Sequence, residues 1–150
     1  MMKKLAFAGL AIGMCFSAPA LALEHEIVID HPAGPIAADY EGSVRVETRQ
    51  VGTAGVAGRP STLRCQWSAA LDLERTAKLG ETLQTRRVMT RDDVASGSTS
   101  GWCNSSARTI DRLVEARRDS FRSAMLAMVE QDRTIILAEA ENAAVNGRDG

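Results

Sequence analysis

The chain has 150 residues, with 18 basic and 19 acidic side chains, so its formal charge is close to neutral. That balance excludes a typical nucleic-acid-binding domain, which usually carries a basic stripe. The length fits one domain, rarely two, with enough residues to bury a core. The sequence lacks the Gly-x-Ser-x-Gly, His-Glu-x-x-His and glycine-rich phosphate-loop motifs. We therefore expect neither a nucleic-acid partner nor a cofactor, and no catalytic residue is assigned.

Residues 1–22 have the organisation of a secretory signal peptide. Two lysines precede a short apolar run, and Ala20-Leu21-Ala22 supplies small residues for a cut after Ala22; a cut after Ala20 is the alternative. The apolar run is shorter than the roughly 20 residues of a transmembrane helix. We expect a periplasmic or secreted protein without a transmembrane anchor in its mature chain. Removal of residues 1–22 leaves 16 basic residues against 19 acidic, a net charge of −3.

The signal peptide changes how the cysteines are interpreted. Its removal takes away Cys15 and leaves Cys65 and Cys103. An even pair of cysteines in an oxidising compartment predicts a disulfide. Their separation does not resemble the Cys-x-x-Cys spacing of a redox enzyme, so a structural bridge is favoured over a catalytic one or a pair of free thiols.

The first part of the mature chain is predicted to be extended. Pro32 and Pro35 exclude a helix and disfavour a central strand. We therefore predict an arm over residues 23–42, with an edge strand at 26–30. Residues 43–51 alternate apolar and polar side chains, as expected for a half-buried strand.

The clearest strand covers residues 62–74, after a glycine-rich turn at 52–60. Its apolar side chains recur at every second position, which a helix would scatter around its circumference; they are Leu63, Cys65, Trp67, Ala69, Leu71 and Leu73. A more polar third strand is predicted at 82–91, where adjacent arginines suit an exposed sheet edge. Residues 92–106 are predicted to be a flexible loop rich in serine and glycine.

The C-terminal part is predicted to contain one long helix. Apolar residues recur with a 3.6-residue period from Ala107 to Val129, and Asn104, Ser105 or Ser106 would cap the helix. Residues 134–140 are predicted to return to the sheet as a strand, because they begin with β-branched residues. A second helix folded back on the first is the alternative, and 146–150 would form a frayed tail.

These elements predict an α+β fold. A small antiparallel sheet of three to five strands would pack on one long amphipathic helix, within a single domain at 43–145. The Cys65–Cys103 bridge would join the central strand to the start of the helix.

Three residues are candidates for binding. Trp67 and Trp102 lie beside the cysteines in sequence, which favours core packing near the bridge over a ligand groove. Arg117 falls on the apolar face of the predicted helix. It would either run along apolar surface with its charge in water or wait inside a cleft for an anionic ligand.

A cut after Ala22 would create a fourth candidate site. The mature chain would then begin Leu23-Glu24-His25, and a free amine with histidine in third place resembles the amino-terminal copper and nickel motif. The amine, two amides and the imidazole would form the square of nitrogens that Cu(II) and Ni(II) favour. A cut after Ala20 removes this possibility.

These observations predict a non-enzymatic exported domain that binds or supports another envelope or extracellular component, either a protein or a small ligand. One competing hypothesis is a small periplasmic enzyme that uses carboxylates. Another is a metal-binding protein that acts through Leu23, Glu24 and His25.

Overall fold

The computed structural model describes residues 21–81 and 83–148. The predicted signal peptide therefore lies almost entirely outside the described residues, as does the end of the predicted tail. The described chain contains four strands followed by two helices: β1 (Ala22–Ile29), β2 (Ile36–Val51), β3 (Arg64–Leu79), β4 (Leu83–Ser100), α1 (Cys103–Glu115) and α2 (Arg118–Asn146). The predicted α+β class with one disulfide is confirmed.

The strands form one antiparallel sheet in the order β1-β2-β3-β4. The edge strand predicted at 26–30 is present as β1 but is longer, because its alternation begins at Leu23, which is buried. The expected arm is not separate from the sheet. β2 begins at Ile36, so the predicted boundary at residue 43 falls inside a strand.

β4 extends well beyond the strand predicted at 82–91. Residues 92–100, expected in a flexible loop, continue the ladder with β3 to Ser100. The pairing shifts between Ala69 and Leu71, where β4 inserts extra residues and Asp93 adopts a φ of 51°. Backbone hydrogen bonds pair strands whatever the side chains, so a stretch rich in serine and glycine can still complete a sheet beside a strongly apolar strand.

The single helix predicted from Ala107 to Val129 is wrong in both its limits and its continuity. α1 begins at Cys103, because the Gln50 side chain accepts a hydrogen bond from the Cys103 amide at 2.8 Å. The hydroxyls of Ser105 and Ser106 donate to the Trp102 carbonyl instead of capping amides. The helix path then breaks at Ala116–Arg117 before α2 starts.

The strand predicted at 134–140 is also wrong. The alternative is correct that this segment is helical, but the segment belongs to α2 and is not a separate helix folded back on the first. α2 continues without interruption to Asn146. Ile136 and Ala140 are buried four residues apart, so this segment packs as a helix face. Helix propensity over Ala138–Ala144 and this packing outweigh the β-branched start of the segment.

Both helices cover the same face of the sheet, and the core lies between them and β3. Side chains of β3 alternate between that core and an open polar face. Along the core face β3 contributes Leu71 and Leu73, which are fully buried, and α2 contributes Phe121 and Ile136. Among the described residues, no helix is long and apolar enough to span a bilayer.

Candidate functional site

A charged side chain interrupts the apolar face of β3. Leu71, Leu73, Ala77 and Leu79 point toward the helices, and Arg75 follows the same alternation into the core, where it is fully buried. A buried cation is costly unless it is paired and hydrogen-bonded. Its partners come from α2.

Two carboxylates of α2 neutralise Arg75. Glu139 accepts two hydrogen bonds, 2.8 Å from Nη1 and 3.2 Å from Nη2. Asp132, itself buried, places Oδ2 3.0 Å from Nε. The Asp132 contact lacks hydrogen-bond geometry and is an ion pair only. Asp132 and Glu139 are seven residues apart, so they lie on the same face of α2 about two turns apart, and one guanidinium holds both turns against the sheet.

Hydroxyl groups complete this buried network. The Tyr40 phenol donates to Asp132 Oδ2 at 3.0 Å, and the Thr85 hydroxyl donates to Glu139 at 3.0 Å. Burial, together with the charge of Asp132 and the hydrogen bond to it, raises the pKa of Tyr40 above its ordinary value. The hydrogen bonds from Arg75 lower the pKa of Glu139.

The network belongs to a polar row that crosses the whole sheet. His25, Tyr40, Arg75 and Arg87 are directly opposed in the strand register, one from each strand, and so share the helix-covered face. At the outer end of the row, Arg87 Nη1 lies 3.7 Å from Asp132 Oδ1. That oxygen is buried and has no hydrogen-bond partner among the described residues.

A groove opens where this row reaches the outer edge of β4. It has a volume of about 400 Å³ and lies between Arg87, Met89 and Arg91 of β4 and Met128 and Ile135 of α2, with Asp132 also contributing to its lining. A second groove of about 620 Å³ follows along α2 and shares Arg91. β4 is hydrogen-bonded to β3 on one side only, so its other side borders these grooves.

The disulfide is where the sequence predicted it, but the tryptophans have different environments. Cys65 and Cys103 are bonded, with their Cα atoms 4.9 Å apart. Trp67 is buried, and its indole lies against the backbone of Gly97 on β4. Trp102 precedes α1 and is 56% exposed, so core packing is wrong for this residue.

Arg117 is not on a buried helix face. It occupies the break between α1 and α2, with φ −98° and ψ 15°, and is exposed. The burial predicted for Arg117 assumed one continuous helix, and the break between α1 and α2 interrupts the 3.6-residue repeat on which it was based. Its role in binding stays a prediction.

The proposed metal-binding residues Leu23, Glu24 and His25 lie within β1. Leu23 is buried, and all three residues pair with β2. Successive amides of a strand point in opposite directions, whereas the motif needs two successive amides on one ion. Metal binding there requires the end of β1 to leave the sheet. Within residues 21–81 and 83–148, no group of three or more histidine, cysteine or acidic side chains is arranged to hold a metal ion.

Sequence reasoning missed the buried network, although a signal for it exists. Arg75 stands where the period-two pattern of β3 requires an apolar residue, and Asp132 lies four residues from Met128 and from Ile136, both buried. Charged residues at inward positions predict a buried ion pair. The sequence pattern does not show which carboxylates pair with Arg75, and only the tertiary structure identifies them as Asp132 and Glu139.

The chain matches no protein-family model, and comparisons with curated proteins and with solved structures find no significant similarity. A functional interpretation therefore depends on the geometry of this chain alone.

Proposed function

We propose that the protein is an exported, non-enzymatic binding domain that holds an extended segment of a partner protein along β4. The segment would add a strand beside β4 and place alternate side chains in the grooves under α2. The observation that carries this proposal is an 18-residue edge strand bordered by grooves of about 400 and 620 Å³.

Strand addition suits this edge because it takes most of its affinity from backbone hydrogen bonds, and pockets for alternate side chains add specificity. The bulge near Asp93 and the arginines of β4 disfavour nonspecific pairing of this edge strand with the strands of other chains. They still leave the regular stretch 83–91 open on its outer side. A selective partner is therefore favoured over self-association.

The residues that line the first groove can adapt to partner side chains of different shapes. Met89 and Met128 line the first groove, and methionine side chains adapt to differently shaped partners. Export is supported by the organisation of residues 1–22, and the Cys65–Cys103 bond fits an oxidising compartment.

The two carboxylates of the network fit this proposal better than carboxylate catalysis. A general acid at neutral pH needs a carboxyl group with a raised pKa, whereas that of Glu139 is lowered by Arg75. Both Glu139 and Asp132 are engaged by the same guanidinium. The network therefore anchors α2 and shapes the groove.

Selection of displayed random peptides on the oxidised protein tests the proposal. Selected peptides should slow hydrogen exchange in β4 more than in β1, the other outer strand. Methylation of successive peptide amides should weaken binding with a period of two, because alternate amides of an added strand face β4. Protection confined to other elements, or methylation effects without that period, would show that the proposal is wrong.

A further inference from the structure

We infer that the preferred partner strand carries two acidic side chains four residues apart with an apolar side chain midway between them. This inference rests on the proposed strand addition and specifies the chemistry that the β4 groove recognises. It follows from the spacing and charge of three residues of β4.

Arg87, Met89 and Arg91 point to the same side of the sheet. Their register partners on β3 are Arg75, Leu73 and Leu71, all of which face the helices. All three β4 residues line the groove of about 400 Å³. The groove therefore presents a cation, an apolar side chain and a second cation in a row.

These two cations are available to a ligand. Arg87 is 38% exposed, and its one ion-pair contact, to Asp132, is 3.7 Å long. Asp132 lies closer to Arg75, at 3.0 Å, but Arg75 is shared with Glu139, so Arg87 supplies the second positive charge beside these two carboxylates. Arg91 is exposed and takes part in no ion pair among the described residues. Arg91 is therefore free to pair with an anionic group, and Arg87, whose single ion pair is long, keeps guanidinium N–H donors for a second one.

The spacing selects the acidic positions. Four residues of strand span about 13 Å, and a strand laid beside β4 has the same repeat. Side chains directly opposed to Arg87 and Arg91 are therefore also four residues apart, and the residue midway between them faces Met89 and Met128. Carboxylates at the outer positions can form paired hydrogen bonds with guanidinium groups.

The pattern ends at Arg91. Beyond it β4 bulges, and the second groove is lined by Asp93 and Asp119. The bulge breaks the strand repeat, and these carboxylates disfavour a third acidic residue there. Two acids, and no longer acidic run, are therefore specified.

Binding of three capped, labelled peptides measured by fluorescence anisotropy tests this pattern. Thr-Glu-Thr-Leu-Thr-Glu-Thr should bind about tenfold more tightly than the same peptide with lysine in place of glutamate, because attraction at two sites becomes repulsion. It should also bind more tightly than Thr-Thr-Glu-Leu-Glu-Thr-Thr, whose acids face away from the groove. Added salt should reduce the preference for glutamate.

Arg91→Gln should reduce the preference for glutamate over lysine to about threefold, half of the original difference in free energy. Arg86→Gln is the matched control, because Arg86 lies on the same strand but on the open face, beside Glu74. It should leave the preference unchanged.

Equal binding of the glutamate and lysine peptides would overturn the inference, as would an equal effect of the two substitutions. Failure of all three peptides to bind would also overturn it. None of these results decides whether strands add to β4. That question is answered separately by the exchange and amide-methylation experiments with selected peptides.

Discussion

Arg75 is the largest fully buried side chain among the described residues. It is fully buried, and its charge is balanced by one buried and one partly exposed carboxylate of α2. Burial disfavours the charged form, but hydrogen bonds to Glu139 and the nearby charge of Asp132 raise the pKa of Arg75. Removal of the guanidinium would leave the buried Asp132 carboxylate without its nearest cation.

Arg75→Met should therefore lower the free energy of unfolding by about 3–5 kcal/mol, the usual cost of breaking a buried ion pair. Arg45→Met is the matched control, since Arg45 pairs with Asp72 on the open, solvent-exposed face, and it should lower the free energy of unfolding far less than Arg75→Met. Urea denaturation of the oxidised proteins measures both. Similar losses for the two variants would contradict a special role for the buried network.

Tyr40 links the same network to pH. The unfolded chain ionises its tyrosine near pH 10. The folded pKa is higher, so the folded protein keeps the phenol proton at pH values where the unfolded chain has lost it. The stability that this proton contributes is complete below about pH 10 and is lost as the pH rises through the folded value.

Tyr40→Phe should therefore remove part of the fall in unfolding free energy above about pH 10. Tyr40 is the chain's single tyrosine, so ultraviolet absorbance of the phenolate reports on this residue alone. In the wild-type protein, phenolate should appear at higher pH when folded than in urea. Coincident titrations would contradict the proposed linkage.

At the scale of elements, the sheet is completed by a close fit between β3 and β4. Trp67 directly opposes Gly97, and a Cβ atom at Gly97 would lie 2.8 Å from the indole. The φ of Gly97 is not in the left-handed region, so the backbone conformation does not require glycine there. Glycine is required because the indole of Trp67 occupies the space that a Cβ atom would need. The indole of Trp67 on β3 therefore requires glycine at position 97 of β4.

Gly97→Ala should destabilise the protein by about 1–3 kcal/mol, because the indole must move within a packed core. Ser96→Ala, one residue away on the same strand, should change stability by less than about 0.5 kcal/mol. Thermal unfolding followed by circular dichroism and by tryptophan fluorescence measures both variants. A neutral Gly97→Ala would show that the ring is free to shift.

At the scale of the molecule, the disulfide joins the sheet to the helical layer. It bonds β3 to the first residue of α1 across a separation of 38 residues. In the chain-entropy model a closed loop of that length stabilises the folded state by about 4 kcal/mol. The bridge and the Arg75 network attach successive parts of the helical layer to the same strand.

Reduction should therefore lower the free energy of unfolding by about 4 kcal/mol and shift the urea midpoint downward. The double variant Cys65→Ala, Cys103→Ala should unfold at a similarly lowered midpoint whether or not reductant is present. An unchanged midpoint on reduction of the wild-type protein would contradict this prediction.

Local patterns identified part of this fold correctly. The alternation in β2 and β3, the edge position of β1 and the cysteine pairing could all be predicted, because each depends on neighbouring residues or on residue type. Predictions failed where pairing or packing overrode local preference, as in residues 92–100 and 134–140. The candidate groove could not be predicted, because its walls come from different elements.

The sequence by itself determined that a sheet with one polar face would pack its other face against an amphipathic helix, and that Cys65 would pair with Cys103. Only the tertiary structure decided that Arg75 would meet Glu139, 64 residues away, and that β4 and α2 would enclose a groove. The spacing of apolar residues along a strand or helix is a local property, and it indicates which face of that element is buried. The partner of a buried charge depends on where distant elements meet, which only the folded chain specifies.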